Sequence, residues 1–383
     1  MSKVALIRCD DYAYDHVKAA VQRGIDLLGG AGSFVKPNEK ILLKPNWLLA
    51  APPEKCATTH PVVFKAVAGV FKTAGAILSY GDSPGMGAPK NAAIKTGCEA
   101  AAKDLGIPMA DFSDGKEMYY EQATQNKKFY FANAVLESDG LISIAKLKTH
   151  GFLKLTGAIK NQFGCIPGLL KTEFHLKLPN PADFARMLVD INLCLRPRLY
   201  VMDGIMAMEG NGPMNGKPRK MGLLLFSADP VALDATVCRI IGVDPKYSFT
   251  VTIGRETGLG VFAEDEIEMV GDPLAGFMDP GFDVDRNPIK SIKPGRGVMG
   301  LVNNLLVPRP VIRAGKCKKC GICVKACPVR PRAVNWHDGN KSNPPSYRYS
   351  RCIRCYCCQE LCPEGAVEIK QPLVRKVFGK RNF

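Results

Sequence analysis

Eight of the fifteen cysteines in this chain stand in two runs that share one spacing. The runs are Cys317-x2-Cys320-x2-Cys323-x3-Cys327-Pro328 and Cys352-x2-Cys355-x2-Cys358-x3-Cys362-Pro363. Thiolates are the ligands of iron–sulfur clusters, and a run of four that ends in Cys-Pro is typical of 4Fe–4S sites. Structural zinc sites are built instead from two separate CxxC pairs, and disulfides need an oxidising compartment. The spacing therefore predicts iron–sulfur clusters.

Both runs resemble those of bacterial two-cluster ferredoxins, in which three close cysteines bind one cluster and the fourth binds the other. The resemblance implies that one 4Fe–4S cluster is held by Cys317, Cys320, Cys323 and Cys362. It implies that the other is held by Cys352, Cys355, Cys358 and Cys327. Cys357 is a ninth cysteine in this region, and we interpret it as a spare thiol beside a cluster.

Positive charge is concentrated around these cysteines. Residues 314–383 contain 15 lysines and arginines and 4 acidic residues, whereas residues 1–313 contain 37 and 32. Each oxidised cluster with its four thiolates adds a charge of about −2, so the loaded C-terminal part keeps about +7. We expect no nucleic-acid partner, because few aromatic residues interleave with the basic ones. We expect an acidic redox protein, such as a free ferredoxin, as the partner.

The length of 383 residues fits one large domain and a small module. The N-terminal sequence turns polar after a few residues, unlike a secretion signal. Membrane spans need roughly 18 apolar residues in a row. The longest candidate, 297–312, is interrupted by polar residues and Pro308. We expect a cytoplasmic protein without a membrane span, in a cell that grows with little or no oxygen.

Short apolar runs alternate with amphipathic stretches over residues 3–271. Strands are predicted at 4–9, 40–44, 76–80, 141–145, 199–203, 222–226 and 267–270, and helices at 15–28, 61–72, 91–105, 181–195 and 229–241. This alternation predicts an α/β domain with a mostly parallel sheet and helices on both faces. We divide the chain into that main domain (1–275), a Pro- and Gly-rich linker (276–313), a small α+β ferredoxin-like domain (314–371) and a basic tail (372–383).

Polar and glycine-rich segments follow the predicted strands, which is where open α/β sheets build their sites. They include Lys44-Pro45-Asn46, Thr59-His60-Pro61, Gly81-Asp82-Ser83-Pro84-Gly85, Lys146-Leu147-Lys148-Thr149-His150, Gly157-Ala158-Ile159-Lys160-Asn161, Glu209-Gly210-Asn211-Gly212-Pro213 and Asp229-Pro230-Val231-Ala232. Three of the five histidines, His60, His150 and His175, lie in or close to these segments.

Residues 1–275 resemble, in these motifs and in their order, the family catalogued as domain of unknown function 362. Proteins of that family often carry a C-terminal two-cluster ferredoxin domain, so the resemblance implies the architecture rather than the reaction. Gly157-x2-Lys160, Pro167-Gly168 and His175 are also similar to a Gly-rich lysine segment of the nickel-pincer lactate racemase family. The paired histidines of that family's site have no counterpart here, so the similarity implies no nickel cofactor.

The first functional hypothesis is a ferredoxin-dependent oxidoreductase, in which two 4Fe–4S clusters pass single electrons to an anionic substrate or second cofactor in the main domain. Lysines at strand ends would form an electropositive pocket, and a histidine would supply the proton that accompanies reduction. We assign catalytic roles to Lys160, His150 and His175, and substrate binding to Lys44, Asn46, His60, Asp82, Lys148, Asn161 and Asn211.

The alternative is a non-catalytic electron-transfer or accessory subunit that serves another redox enzyme. A third hypothesis is a metal-dependent enzyme in which the clusters are regulatory. Its ligands would be His60, His150, His175 and either Asp82 or Asp203. Flavin or nicotinamide binding is not supported, because no GxGxxG motif follows the first predicted strand.

Overall fold

Strands and helices alternate along the main domain of the computed structural model, as the sequence predicts. The structure describes residues 1–168, 170–289 and 307–370. The strands are β1 (Ser2–Arg8), β2 (Lys40–Lys44), β3 (Ile77–Tyr80), β4 (Gly115–Tyr119), β5 (Lys128–Ala132), β6 (Gly140–His150), β7 (Lys154–Thr156), β8 (Leu199–Glu209), β9 (Lys217–Ser227), β10 (Ile267–Gly271), β11 (Arg309–Ile312), β12 (Val334–Asn335), β13 (Ser346–Tyr347) and β14 (Val367–Lys370). The helices are α1 (Tyr14–Leu27), α2 (Pro61–Thr73), α3 (Pro89–Lys95), α4 (Cys98–Asp104), α5 (Asn133–Leu136), α6 (Ala158–Asn161), α7 (Leu170–Lys177), α8 (Pro181–Leu195), α9 (Pro230–Ile240), α10 (Phe249–Glu256), α11 (Ile322–Ala326) and α12 (Cys357–Glu360).

One sheet of eight strands forms the centre of the main domain. Its strand order is β10-β1-β9-β8-β6-β2-β3, and the short β7 pairs with β6. Strand β9 is antiparallel to both of its neighbours, whereas the pairs β1–β10, β8–β6, β6–β2 and β2–β3 are parallel. This mixed but mostly parallel sheet confirms the predicted α/β class.

Two apolar cores cover the two faces of the sheet. Successive residues of a strand point to opposite faces, so Ile41 and Leu43 of β2 enter one core and Leu42 enters the other. Helices α1, α2 and α4 bury their apolar residues in the first core, and α8, α9 and α10 bury theirs in the second. The prediction of helices on both faces is confirmed.

Local signals set the helix boundaries. Asp229 caps α9, since its Oδ1 accepts hydrogen bonds from the backbone N–H groups of Val231 at 2.8 Å and Ala232 at 2.9 Å. Pro230 occupies the first helical position, where its missing N–H costs nothing. The predicted helix 91–105 is instead two helices, α3 and α4. Gly97 separates them with a φ of 78°, because a right-handed helix cannot continue through a left-handed residue.

Strand β6 continues beyond the predicted end at residue 145 and reaches His150. The segment from Lys146 onward, which we placed after the end of the predicted strand, pairs with β8 across an irregularity between Lys146 and Lys148 and with the antiparallel β7. All of its residues are buried. The side chains of Lys148 and His150 are thereby fixed by strand geometry, two positions apart on one face.

The cysteine-rich module contains α11, α12 and two antiparallel pairs, β11–β14 and β12–β13. This agrees with the predicted small α+β domain. Strand β11 lies in the segment that we assigned to the linker. The sequence did not predict this strand, because its pairing partner β14 is far away in the sequence. Residues 290–306 of that linker and the basic tail 372–383 lie outside the described residues.

The segment that follows β10 packs on the main domain instead of spanning open space. Phe277 and Phe282 are buried in the core that contains α9. Lys154 Nζ donates to the carbonyl of Asp285 at 2.7 Å and to that of Asn287. In the part of the chain that the structure describes, no helix has the length and apolarity to cross a membrane.

Candidate functional site

Lys44, at the end of β2, forms a buried ion pair with Asp82, which follows β3. Its Nζ lies 2.8 Å from Asp82 Oδ1, while Asp82 Oδ2 accepts a hydrogen bond from the backbone N–H of Trp47 at 2.8 Å. Asn161 Oδ1 accepts from Lys44 Nζ at 3.3 Å and from Asn46 Nδ2 at 3.0 Å. Four predicted site residues from separate parts of the sequence thus meet at the carboxyl edge of the sheet, where loops after parallel strands converge.

Lys148 belongs to the same network but contacts no carboxylate of a described residue. Its Nζ donates to Asn46 Oδ1 at 2.6 Å and to the carbonyl of Ala57. The side chain is buried, and burial, together with repulsion from Lys160 and Lys146, holds the pKa of Lys148 well below the usual 10.5. An anion bound nearby would raise that pKa, because an opposite charge favours the protonated form.

Lys160, in α6, is the lysine of this site whose N–H groups form no hydrogen bond with a described residue. It is half-buried by accessible surface, and its Nζ lies 5.9 Å from the ring centre of Phe163. Within the described ranges, its ammonium forms no hydrogen bond or ion pair. Burial lowers the pKa of Lys160 from 10.5, while Glu360 and Cys357 oppose that shift. Its N–H groups are therefore available to a ligand.

His150, the last residue of β6, contacts Glu360 of the cysteine-rich module. Its Nδ1 accepts from the backbone N–H groups of Phe152 at 3.0 Å and Leu153 at 3.3 Å, so we assign the ring hydrogen to Nε2. Nε2 lies 2.8 Å from Glu360 Oε1, at an angle outside hydrogen-bond geometry. Burial lowers the pKa of His150, as does Lys160, whereas Glu360 opposes this. The ring is held at both nitrogens.

Glu360 is buried and remains ionised. Burial by itself would raise the pKa of its carboxyl group. His150, Lys160 and His175 act in the opposite direction and together lower that pKa below its usual range. A carboxylate of the cysteine-rich module therefore contacts one catalytic candidate of the main domain, His150, and is influenced electrostatically by two others.

His175, in α7, packs among aromatic rings. It stacks on Phe184 with ring centres 4.4 Å apart, and the rings of Phe152 and Phe163 lie 6.0 Å away. Its Nδ1 is buried and has no hydrogen-bond partner among the described residues. Burial lowers the pKa of His175 to about 4, against the opposing influence of Glu360. The imidazole is therefore neutral at pH 7 and keeps one ring nitrogen without a partner.

Helix α12 also binds the main domain through Gln359, whose side chain is fully buried. Gln359 Nε2 donates to Asn211 Oδ1 and to the carbonyl of Gly212, both at 2.9 Å. Asn215 Nδ2 donates to the carbonyl of Cys362 at 2.7 Å, and Asn211 Nδ2 donates to that of Val367 at 3.3 Å. The predicted substrate-binding residue Asn211 is thus part of the contact between the two domains.

One cavity of the cysteine-rich module is lined by Cys317, Cys320, Cys323 and Cys362. These are the four cysteines that the ferredoxin pattern assigns to one cluster, and Cys362 comes from the second run. The backbone N–H of Lys319 donates to Cys317 Sγ at 3.4 Å, and such hydrogen bonds to sulfur tune iron–sulfur clusters. The residues present fit a 4Fe–4S cluster.

The other four cysteines are Cys327, Cys352, Cys355 and Cys358. Cys327 and Cys358 are buried in one apolar cluster, with Cys352 packed against it. Tyr347 donates its hydroxyl hydrogen to Cys358 Sγ at 3.2 Å. Among the described residues, no three His, Cys, Asp or Glu side chains could hold a single metal ion. A cubane needs no such convergence, because each of its irons takes one thiolate.

Comparisons with known proteins identify both parts of the chain. Residues 316–366 match the family described as 4Fe-4S dicluster domain, which confirms the prediction of an iron–sulfur, electron-transfer module. Residues 41–239 match the family described as Domain of unknown function (DUF362). The chain belongs to the DUF362 family. A thylakoid-associated protein of Synechocystis is 35% identical to this DUF362 protein over 266 residues, or 69% of this chain and 82% of that protein.

Two solved structures are similar to the DUF362 protein. The lactate racemase apoprotein from Thermoanaerobacterium thermosaccharolyticum aligns with a TM-score of 0.41 and 13% identity, over 63% of this chain and 56% of that one. A protein from Thermotoga maritima aligns with a TM-score of 0.34 and 11% identity, over 58% of this chain and 57% of that one. The chain thus spans little more than half the length of either protein.

His60 of the DUF362 domain joins a different network from the other predicted residues. Its ring stacks on Tyr12 with centres 3.5 Å apart, and its backbone N–H donates to Asp203 Oδ2 at 3.0 Å. The same Asp203 oxygen lies 2.8 Å from Lys146 Nζ, so this lysine is already paired. Burial lowers the pKa of His60 to about 4. His60 and Lys146 therefore do not contact Lys44, Lys148 or Lys160.

Sequence reasoning missed three residues of the DUF362 protein's site. Glu360 and Gln359 stand among the cysteines of the second run, where the spacing drew attention only to the thiols. Lys171 is buried in α7, and its Nζ donates to Ser83 Oγ at 2.7 Å and to the carbonyl of Ile166 at 2.8 Å. Burial lowers the pKa of Lys171 to about 7. The available signal was a carboxylate, Glu360, between two proposed cluster ligands, Cys358 and Cys362.

Proposed function

We propose that this DUF362 protein is an iron–sulfur oxidoreductase in which two 4Fe–4S clusters pass single electrons to an anionic substrate or second cofactor bound by the α/β domain. The contact at Glu360 supports this most. Glu360 stands two positions from Cys358 and two from Cys362, and its carboxylate lies 2.8 Å from His150 Nε2. One short helix therefore connects the proposed cluster ligands with the lysine and histidine site.

The proposed ligands are Cys317, Cys320, Cys323 and Cys362 for one cluster, and Cys352, Cys355, Cys358 and Cys327 for the other. The cavity lined by the first four supports this assignment. When bound, the clusters would store and release single electrons. Cys357 adjoins Cys358 but is not required by the pattern, so we assign it no ligand role.

An excess of lysine over carboxylate supports an anionic ligand. Lys44 is paired with Asp82, but Lys148 and Lys160 have no carboxylate within ion-pair distance in the described part of the chain. Buried like charges repel one another, and a bound carboxylate or phosphate would offset that repulsion. Lys160 is our choice for direct contact, because its donors are not engaged by any described residue.

The contacts of the two histidines support different roles. His150 is engaged at both ring nitrogens, by two backbone N–H groups and by Glu360, so we propose that it positions Glu360. His175 is neutral, and its Nδ1 lacks a partner among the residues that the structure describes. A neutral imidazole can accept or relay a proton. We therefore propose that His175 accepts or relays the proton that accompanies the reduction.

A location in the cytoplasm is part of the proposal. The Synechocystis relative is named as thylakoid-associated, which makes attachment to a membrane surface the competing location. Fractionation of cells that express the intact chain, with antibody detection in the soluble and membrane fractions, distinguishes the two. Release from membranes by salt would indicate a peripheral, charge-dependent association.

The decisive experiment follows reoxidation of the clusters. The anaerobically loaded protein is reduced with dithionite, freed of excess reductant, and mixed with a panel of small carboxylates and phosphate esters while its visible absorption is recorded. Lys160→Ala is compared with wild type and with Lys177→Ala. Lys177 is an exposed lysine of α7 whose Nζ lies 3.1 Å from Glu173. Mass spectrometry of the denatured protein is used to search for a ligand that co-purifies.

The proposal expects at least one compound of the panel to reoxidise wild type and Lys177→Ala. Lys160→Ala should react at least about tenfold more slowly at equal iron content, because a hydrogen bond to a charged ligand is lost. If no small molecule reacts, or if every one reacts equally with Lys160→Ala, the chain is an electron-transfer or accessory subunit instead.

A further inference from the structure

A strongly basic segment covers part of the cysteine-rich module. Residues 313–325 contain five lysines and arginines and no carboxylate. All five side chains are exposed: Arg313, Lys316, Lys318, Lys319 and Lys325. Cys320, in the middle of the segment, is exposed as well. A proposed cluster ligand therefore reaches the surface where positive charge is concentrated.

Neighbouring carboxylates offset little of this charge. Glu368 lies 2.6 Å from Arg313 and 3.3 Å from Lys316, so one carboxylate is shared by two cations. Lys318 and Lys319 line the same cavity as the four cysteines, and neither forms an ion pair with a described residue. Their positive charge remains available to a molecule that approaches the exposed Cys320.

The second cysteine run has a different environment. Cys355, Cys357 and Cys358 are buried and precede Glu360, which contacts the main domain. Glu360 Oε1 lies 2.8 Å from His150 Nε2, and Gln359 of the same helix donates to Asn211 Oδ1 of the main domain at 2.9 Å. The second run therefore adjoins the main domain, whereas the first run reaches solvent at Cys320.

We propose that residues 313–325 form the docking surface for a small acidic electron-carrier protein, which exchanges electrons at Cys317, Cys320, Cys323 and Cys362. In each exchange one electron passes from the carrier to the module, so the carrier is oxidised and the module is reduced. No bond is made or broken, and no proton is transferred. Complementary charge steers the carrier to the exposed ligand, Cys320. The onward transfer of the electron, from the first cysteine run through the second towards Lys160, rests on the function proposed above.

The test measures binding in the absence of substrate. The probe is an acidic plant-type 2Fe–2S ferredoxin, and its association rate and dissociation constant are measured at several salt concentrations. Lys318→Glu/Lys319→Glu is compared with wild type and with Lys318→Arg/Lys319→Arg, which keeps the charge. The control Lys36→Glu/Lys103→Glu makes the same charge change at two exposed lysines of the main domain. Iron content establishes that every variant is equally loaded.

The glutamate variant should associate about tenfold more slowly at low salt and lose most of the salt dependence, because charge steering acts on the association rate. The arginine variant and the main-domain control should behave as wild type. Equal binding by the glutamate variant would overturn the proposal. Binding of wild type to phosphatidylglycerol vesicles but not to the carrier would overturn it too. Neither result depends on Lys160 or on a substrate, so the proposed function is tested separately.

Discussion

Glu360 Oε1 lies 2.8 Å from His150 Nε2, and this contact joins the iron–sulfur module to the carboxyl edge of the main sheet. Both side chains are buried. Because His150 Nδ1 accepts two backbone hydrogen bonds, the ring hydrogen is on Nε2, the nitrogen that lies beside the carboxylate. A site that would otherwise belong to one domain therefore includes a residue of each.

Replacing Glu360 should weaken the contact between the domains. Glu360→Ala removes the carboxylate that lies beside the buried Nε2–H of His150, so we expect the free energy of unfolding to fall by about 1–3 kcal/mol. Glu360→Gln keeps an acceptor oxygen and should lose less. Denaturant unfolding of the anaerobic, cluster-loaded protein provides the measurement. Equal losses in the two variants would show that His150 does not need this acceptor.

A side chain at Gly151 should separate the domains without touching a cysteine. A Cβ at this position would overlap Ile369 of β14. We therefore expect Gly151→Leu to raise the rate of amide hydrogen exchange in peptides that contain residues 211–215 and 357–361. Gly32→Leu is the matched control, because no atom lies within 4 Å of a Cβ built there. Unchanged exchange in Gly151→Leu would contradict the described packing.

The buried pair Lys44–Asp82 should contribute far more than an exposed pair of the same length. Asp82→Ala leaves a buried ammonium without its partner, which costs about 3–5 kcal/mol in comparable cases. The double variant Lys44→Met/Asp82→Ala should cost less than the sum of the two single changes. Lys128 and Glu117, also 2.8 Å apart but 62% exposed on each side, are the control. Their double-mutant cycle should give at most about 1 kcal/mol.

His175 should make stability depend on pH. Its pKa is about 4 in the folded chain because of burial, against about 6.5 when unfolded. Between these values the unfolded chain binds the proton and the folded chain does not, so stability is complete above pH 6.5 and is lost as the pH falls towards 4. From pH 7 to pH 5, wild type should lose about 2 kcal/mol more than His175→Phe. Parallel losses would mean that His175 is not buried in the neutral form.

Iron content should report on the ligand assignment. The loaded chain should contain about eight irons, and Cys320→Ser should retain about four, because each cluster depends on its own four thiolates. Cys357→Ser should keep all of them. Iron and acid-labile sulfide are determined after anaerobic reconstitution. Loss of a cluster in Cys357→Ser would make Cys357 a ligand.

The sheet was predictable because local pattern determines it. Each predicted strand of the main domain is present, since apolar runs buried on two faces have few alternatives. The extensions of β6 and β8 were not predicted, because a strand that contains Lys146 and Lys148 resembles a polar loop until its partners are known. The hairpin β4–β5 was missed for a related reason. Its residues Glu117, Met118 and Tyr119 include exposed and half-buried side chains and give no clear period of two.

The site was partly predictable from the rule that loops meet at the carboxyl edge of a parallel sheet. That rule brings Lys44, Asp82 and Lys148 together, and the structure has all three in contact through Asn46, Asn161 or each other. Glu360 could not be predicted in the same way. Its position depends on how a second domain docks, and a contact between sequence segments so far apart has no local pattern.

Helix α12 has only four residues, Cys357–Glu360, and such a short helix is not stable by itself. Its conformation therefore depends on contacts that hold its two ends. The proposed cluster ligand Cys358 lies within the helix, and the proposed ligand Cys362 lies two residues beyond its end. We expect a newly synthesised chain to form its sheet before it obtains iron, but to place Glu360 beside His150 only afterwards. Assembly of the metal centres would thus act as a checkpoint, and a cell short of iron would accumulate a folded chain in which the candidate site is incomplete.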